Sequence, residues 1–363
     1  MRVLMVSHTA QHAGSNDVVL ALLENVPETT DVQMVFLQDG PLTESVAALG
    51  VDTVVIDSGR ARDPLRQLRA FKKLRALARS SDVAFSHVAK SQALAGWAAR
   101  AARTRSVWYQ HELPGQPQTL QKIAAASRPG LTIANSEFVA AKHRQLWPSA
   151  DVSVVHPGIL APDQGECRTH ASGSGATVAV LSRLDRWKRV ELSIDAFAAA
   201  QKTDPSLRLV VIGGEAGGQK NAGYLSELKR RAADSTVADS VEFTGAVPNA
   251  RRRLNEVDVL IQLSEGEPFG LSVAEALSYE VPAIVSNDGG AVEIIEDGRS
   301  GFAVDAEATS AVAERLLRLT SDATLRTGFG KAGRERVLTS FDRRTQSAEM
   351  WRQVHAVTSE KRG

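Results

Sequence analysis

Short β-branched runs alternate with helix-period stretches along nearly the whole chain, and that alternation confines the fold to parallel α/β sheets. The strand candidates of the first half are residues 3–7, 32–37, 53–56, 83–86, 106–109, 131–134 and 152–155. Residues 158–175 break the pattern. Rich in Gly, Pro, Ser and Asp and without periodicity, they read as a linker. A second series follows at 177–181, 207–212, 241–243, 259–262, 283–286 and 302–304, after which the pattern is helical only, including 342–357. A chain of 363 residues exceeds one ordinary core. The expected architecture is therefore two doubly wound domains facing across a cleft, with ligands at the carboxyl ends of the strands.

Composition narrows the class further. With 43% hydrophobic and 23% charged residues, the chain is that of a globular protein rather than a disordered one. No apolar run reaches the ~18 residues of a membrane span, and the first residues enter a strand pattern with no signal-peptide character. The single Cys167 excludes an internal disulfide and a cysteine-rich metal site, so a cytoplasmic setting is expected. Charge is unevenly spread. Residues 58–110 carry twelve Lys/Arg against Asp63 and Asp82, a local +10 that leaves −9 for the remainder. Within the basic 60–105 region, residues 64–79 read as a helix that mixes Leu65, Leu68, Phe71, Leu74 and Leu77 with Arg66, Arg69, Lys72 and Lys73. Such a helix lies either on an anionic membrane surface or, Leu face inward, on its own domain. Few aromatics interleave the basic residues, which argues against nucleic acid.

The window with the most chemistry runs from Glu267 to Glu275: Glu-Pro-Phe-Gly-Leu-Ser-Val-Ala-Glu. A helix opening at a Gly-containing turn points free N–H groups, and about half a positive charge, at whatever lies in front of it. A carboxylate before that anion site and another just inside it suit a ligand that is both phosphate and polyol, such as a nucleotide sugar. The plainer reading makes Glu275 the partner of Ser272 in a capping box, with helix from Ala274 to Tyr279, and Glu267 a solvated loop residue.

Further elements line up around this window. Arg183 and Lys188 follow the first strand of the second series, as surface charge or as a phosphate grip. Gly213 and Gly214 end the next strand, Gly245 to Val247 the one after, and Gly289-Gly290 opens a turn before Glu293. In this order, with Pro282, Asp297-Gly298 and Gly301-Phe302, residues 177–304 resemble the donor domain of the retaining family 4 (group 1) glycosyltransferases, which have the GT-B fold of two Rossmann-like domains.

The resemblance implies domains at 1–157 (acceptor-binding), 176–340 (donor-binding) and a helix at 341–363 packing back on the first domain. It implies that Arg183 and Lys188 neutralise a donor diphosphate and that Glu275 takes ribose hydroxyls. Glu267 would hold hydroxyls of the transferred sugar beside the N–H groups of Phe269, Gly270 and Leu271, with the base against Gly245 to Val247. The first half matches more loosely. Gly14 matches the first glycine of a family Gly-Gly pair, but Ser15 replaces the second. His111 resembles the family histidine near the transferred sugar; the alternative is a structural hydrogen-bonder at a strand end. Glu112 is a weaker acceptor contact. Ser136 reads as a helix N-cap.

The implied reaction moves a hexose from a UDP- or GDP-sugar to a hydroxyl of a glycan or lipid-linked acceptor, as in cell-envelope polysaccharide synthesis, with retained configuration. No Asp-x-Asp occurs in the chain, so no metal or other cofactor is expected. The rival readings are a GT-B nucleotide-sugar 2-epimerase and a non-enzymatic sugar-nucleotide binder. A nicotinamide oxidoreductase would need Gly-x-Gly-x-x-Gly after a strand, and neither Gly14 nor residues 213–218 supply it.

Overall fold

The computed structural model describes residues 1–11, 14–59, 62–114, 118–163 and 175–359. Arg60, Cys167 and most of the 158–175 stretch lie outside the described residues. The chain divides into two compact units, Met1–Gly158 with Arg343–Gly363, and Ile159–Asp342.

The first unit holds strands β1 (Arg2–Ser7), β2 (Asp31–Phe36), β3 (Asp52–Val55), β4 (Val83–His87), β5 (Arg105–Gln110), β6 (Leu131–Ala134) and β7 (Val152–Val154). They form one parallel sheet in the order β3-β2-β1-β4-β5-β6-β7. Helices α1 (Gly14–Glu24), α2 (Leu42–Ala48), α3 (Pro64–Arg79), α4 (Val88–Ala102), α5 (Gln118–Ala126) and α6 (Glu137–Leu146) make the crossovers. The central strands are buried almost end to end, because helices cover both sheet faces and leave no polar side. Local signals set the helix starts. Ser136 caps α6 by accepting the Val139 N–H at 3.1 Å, as expected. Asp63 caps α3 through the Arg66 N–H at 3.1 Å, with Pro64 at N1, where its missing N–H is one of the unpaired ones anyway. On α3, Ala70, Leu74 and Ala78 seat on the core while Leu65 and Leu68 stay 66% and 50% exposed. Only the later turns of this helix use their apolar face for packing.

The second unit holds β8 (Thr177–Leu181), β9 (Arg208–Ile212), β10 (Val241–Gly245), β11 (Val259–Gln262), β12 (Ala283–Ser286) and β13 (Gly301–Val304), parallel in the order β10-β9-β8-β11-β12-β13. Its helices are α7 (Val190–Gln201), α8 (Tyr224–Asp234), α9 (Leu271–Ser278), α10 (Thr309–Ser321) and α11 (Ala323–Ser340). Period-2 alternation splits the core between the two faces. Val178, Val180, Val259 and Ile261 join α7 residues Ile194 and Phe197, whereas Ala179 and Leu260 join α9 residues Val273 and Leu277. Each such large apolar side chain contributes roughly 1.5–3 kcal/mol by leaving water. Ile159 belongs to the α9 face and pairs with Asp342.

The last helix, α12 (Arg343–Ser359), belongs to the first unit. The Trp351 indole donates to the Leu22 carbonyl at 3.1 Å, and Arg343 meets Glu24 at 3.0 Å, so α12 lies against α1. Each of the thirteen strand candidates is a strand, with ends displaced by at most two residues. Among the described residues no helix is long and apolar enough to cross a membrane. In each sheet the strand order reverses once, between β1 and β4 and between β8 and β11. Loops leave such a point in opposite directions and open a crevice at the strands' carboxyl ends.

Candidate functional site

In the second unit the crevice forms where β8 and β11 end. Gly213 has φ +145°, and a Cβ there would fall on the Ser182 carbonyl. That close approach lets the loop after β8 dock on the exit of β9, where the Leu184 N–H donates to Gly214 O at 2.9 Å. Arg183 sits on this loop with its side chain exposed and, among the described residues, in no ion pair. A 3-10 turn, Arg186–Lys188, then brings Lys188 over the Trp187 ring, 4.0 Å from its centroid. The Glu265 N–H donates to Trp187 O at 2.8 Å and ties the β8 and β11 loops together.

Glu267 lies on the β11 loop, 7% exposed. The Lys188 ammonium donates to its Oε2 at 2.6 Å, and the Gln262 amide donates to the same oxygen at 2.9 Å. So Glu267 is a held, nearly buried carboxylate rather than a solvated loop residue. Glycines make the fit: a Cβ on Gly289 (φ +143°) would lie 2.7 Å from Glu267 N, and the Gly290 N–H donates to Glu267 O at 2.7 Å.

The expected capping box does not form. Gly270, at φ +108°, is itself the N-cap, so α9 starts at Leu271 and Ser272 stands inside the first turn. Its hydroxyl lies 3.4 Å from the Gln262 amide instead. Glu275 is a half-buried residue one turn along. The Phe269 ring is 2% exposed and meets Phe341 edge-on at 5.7 Å, which leaves only its backbone for a ligand. Gly245 takes φ +69° at a bulge ending the edge strand β10, accepting from the Gly213 N–H at 3.1 Å, while Val247 packs on the α9-side core. The geometry joins Lys188, Glu267, Gln262 and Ser272 through direct bonds, and joins Arg183 and Gly245 through backbone around Gly213.

In the first unit the reversal point carries histidines. His8 follows β1, His87 ends β4 and His111 follows β5. Their ring centroids are 6.4 Å apart for His8 and His87, and 5.7 Å for His87 and His111, edge to face. His111 also leans on Tyr109, at 4.1 Å. Asn16 on α1 orders the group. Its Nδ2 donates to the Thr9 and Gln11 carbonyls at 3.2 and 2.5 Å, so its Oδ1 is the atom that faces His87 Nε2 at 3.0 Å. His87 is therefore the Nε2–H tautomer, with a bare Nδ1 enclosed without a partner among the described residues. Burial pushes His8 down to about 4, with Lys90 adding to it, and His111 down to about 3; it holds His87 well below the usual range. All three are neutral near pH 7, and His111 Nε2 has no described partner. Gly14 opens α1, the helix that carries Asn16.

Glu112 has a backbone partner. Both its oxygens accept the Ala89 N–H, at 3.0 and 3.2 Å, at the start of α4. The residue before, Val88, is β-branched yet sits at φ +59°, a strained conformation that the clasp sustains. Burial pushes the Glu112 carboxyl up to about 7, against the pull of the Ala89 N–H. Gln262, Asn16 and His87 were not singled out from sequence. The available signal was a polar side chain as the last residue of a buried strand, shared by Gln262 and His87.

Residues 169–336 match the family described as Glycosyl transferases group 1, and residues 13–160 match Glycosyltransferase Family 4. The chain is 30% identical over 220 residues to the GDP-mannose-dependent alpha-(1-6)-phosphatidylinositol monomannoside mannosyltransferase of Mycobacterium tuberculosis, covering 56% of this chain and 55% of that protein. It is 27% identical over 218 residues to the N-acetyl-alpha-D-glucosaminyl L-malate synthase of Bacillus anthracis, covering 58% and 55%. The chain thus spans about half the length of these curated relatives. Anabaena HepE, solved in complex with UDP and glucose, superposes with a TM-score of 0.84 at 20% identity over 98% of this chain and 100% of that one. A Rickettsia africae glycosyltransferase gives 0.81 at 16% identity, with 99% of each chain covered. With the two reversal-point sites and these matches together, the chain belongs to the family 4, group 1 glycosyltransferases and has their GT-B fold of two Rossmann-like units.

Proposed function

We propose that this chain transfers a hexosyl group from a UDP- or GDP-sugar to a hydroxyl of a glycan or lipid-linked acceptor, with retained anomeric configuration and without a metal. The observation that carries the reading is the Lys188–Glu267 pair, a cation and a carboxylate 2.6 Å apart at the reversal point of the second sheet. An ammonium has three donors, and Glu267 engages one, so two remain for diphosphate oxygens. Arg183, exposed and uncommitted, adds a planar fork to the same anion. Together with the N–H groups of Phe269, Gly270 and Leu271 they meet the charge that grows on the leaving diphosphate, in place of a divalent ion. Glu267 holds a hydroxyl of the sugar, Glu275 the ribose, and the base lies along Gly245 to Val247.

Retention follows front-side attack, in which the donor phosphate takes the acceptor proton; no side chain is assigned as nucleophile. His111, a neutral imidazole, hydrogen-bonds the sugar or the acceptor rather than supplying charge. Gly14 brings backbone near the donor, and Glu112 acts on the acceptor side chiefly by fixing the start of α4. The mannosyltransferase relative named for GDP-mannose and phosphatidylinositol monomannoside, and the neighbour holding UDP and glucose, support this class of donor. The test is transfer and slow donor hydrolysis by the full chain with UDP- and GDP-sugars in excess chelator, reading product anomer by NMR. No binding of any nucleotide sugar, or activity lost on chelation, overturns the reading.

The exposed Leu65 and Leu68, flanked by Arg62, Arg69, Lys72 and Lys73, further support peripheral docking on an anionic bilayer. Sedimentation with anionic liposomes tests this. Replacing Arg66, Arg69, Lys72 and Lys73 by Glu should abolish binding, and unchanged binding refutes it.

A further inference from the structure

Gln262 ends β11 and is 5% exposed. Its Nε2 donates to Oε2 of Glu267 at 2.9 Å and lies 3.4 Å from the Ser272 hydroxyl. That neighbour settles the amide's orientation, since its oxygen turned toward a carboxylate would be repelled. The amide oxygen is left enclosed with no donor among the described residues. A leucine here would continue the apolar run Val259-Leu260-Ile261 and bury no unmet acceptor, so sheet packing gives no reason for a glutamine. The reason lies at Glu267. Lys188 reaches the same oxygen at 2.6 Å, so two donors from different loops converge on Oε2 and fix the plane of the carboxylate. Both side-chain bonds of Glu267 end on Oε2, which makes Oε1 the oxygen available to a ligand. The hydroxyls of Ser182 and Ser264, at the exits of β8 and β11, are likewise enclosed without partners among the described residues, so unmet polar atoms gather at this reversal point.

We propose that Gln262 is a positioning residue for the transferred sugar. By holding Oε2 of Glu267 together with Lys188, it presents Oε1 to a sugar hydroxyl and sets which hydroxyl arrangement the donor site accepts. The inference rests on the donor-site reading above.

The test is calorimetric titration of the full chain with UDP, GDP, UDP-glucose, UDP-N-acetylglucosamine and GDP-mannose, on the wild type, Gln262→Leu and Gln262→Glu. Gln262→Leu should leave the nucleoside diphosphate Kd within about twofold and erase about tenfold of the affinity added by the sugar. Gln262→Glu sets a second carboxylate against Glu267, with Lys188 facing the pair. Ionised near pH 8 it repels Glu267, whereas protonated near pH 5.5 it regains a donor. Its sugar preference should therefore be poor at the higher pH and recover toward wild type at the lower, a dependence that packing alone would not give. Equal sugar preference in all three proteins overturns the role of Gln262 and leaves the donor reading standing. Parallel loss of nucleoside diphosphate affinity also overturns it, because that marks a disordered site. If the wild type binds none of the five probes, the donor reading itself fails and the proposal falls with it.

Discussion

Where the first sheet reverses, the exits of β1 and β4 hold His8 and His87, neutral rings of which His87 is held by the Asn16 amide and meets His111 edge to face. Where the second reverses, the exits of β8 and β11 hold Arg183 and Glu267, with Lys188 drawn onto the carboxylate. The topology is the same and the chemistry opposite. One unit presents hydrogen-bonding groups that burial keeps uncharged; the other presents fixed charge of both signs. Strand order dictates where a site opens, and side chains decide what it can stabilise. On the function proposed above, a diphosphate and its sugar hydroxyls would fall to the second site and an uncharged acceptor hydroxyl to the first.

The sharpest way to break this contrast is to remove the charge from the second site. Glu267→Ala leaves the Lys188 ammonium, 14% exposed at its side chain, without its partner. Loss of about 3–5 kcal/mol of stability is expected in urea unfolding, with sugar transfer down on the order of 10²–10³-fold. Pairing Glu267→Gln with Lys188→Met should restore most of the stability and none of the transfer. Additive stability effects in that cycle would show that the two groups do not act as a pair.

Acid attacks the other half of the contrast. A histidine whose folded pKa lies below its unfolded value of 6.5 is neutral in the native state while the unfolded chain takes up protons. Stability is therefore full above pH 6.5 and is lost as pH falls toward the folded values, about 4 for His8 and about 3 for His111. Each shift is worth on the order of 2–3 kcal/mol by pH 4. Thermal unfolding of His111→Gln should show a shallower acid decline than wild type; parallel curves would mean that the ring is not held neutral by burial. Arg183→Ala is a smaller perturbation. Its exposed side chain should leave Tm within a degree or so while weakening diphosphate binding roughly 10-fold, readable by calorimetry.

Sequence carried the architecture well because parallel strands buried on both faces leave near-continuous apolar runs, as β1, β8, β9, β11 and β12 do, whereas the edge strands β3, β7 and β10 are short, mixed and only partly buried. The residues that gather where the second sheet reverses, Lys188 and Glu267 among them, could be picked out in advance, since a strand exit, a glycine and a charge recur there. What misled was degenerate spacing. Ser272 and Glu275 fit a capping box, yet the left-handed Gly270 takes the cap, and conformation at one glycine is not written in its neighbours. What stayed hidden was pairing at a distance. Lys188 and Glu267 are 79 residues apart, Asn16 and His87 71 apart. Nothing local in Gln262 distinguishes it from a strand residue facing solvent until the loop folds over it.

Glu112 gives the finest probe of the first site, because it titrates against the histidines beside it. Burial raises its carboxyl from 4.5 to about 7. Its folded value lies above its unfolded one, so its contribution is full below pH 4.5 and is lost as pH rises through 7, the reverse of His8 and His111. Between about pH 4.5 and 6.5 the two trends partly cancel in the wild type. Glu112→Gln keeps an acceptor for the Ala89 N–H, so the start of α4 should survive, but removes the opposing titration. Its Tm should therefore match wild type near pH 8 or slightly exceed it, and fall more steeply on acidification. The extra loss is about 1 kcal/mol, reduced from the full shift because the residue is partly exposed. Glu112→Ala, which also removes the acceptor of the Ala89 N–H, should run about 1 kcal/mol below Glu112→Gln at every pH. If Glu112→Gln and wild type instead decline in parallel, the carboxylate is charged throughout, and the first site carries a fixed negative charge after all.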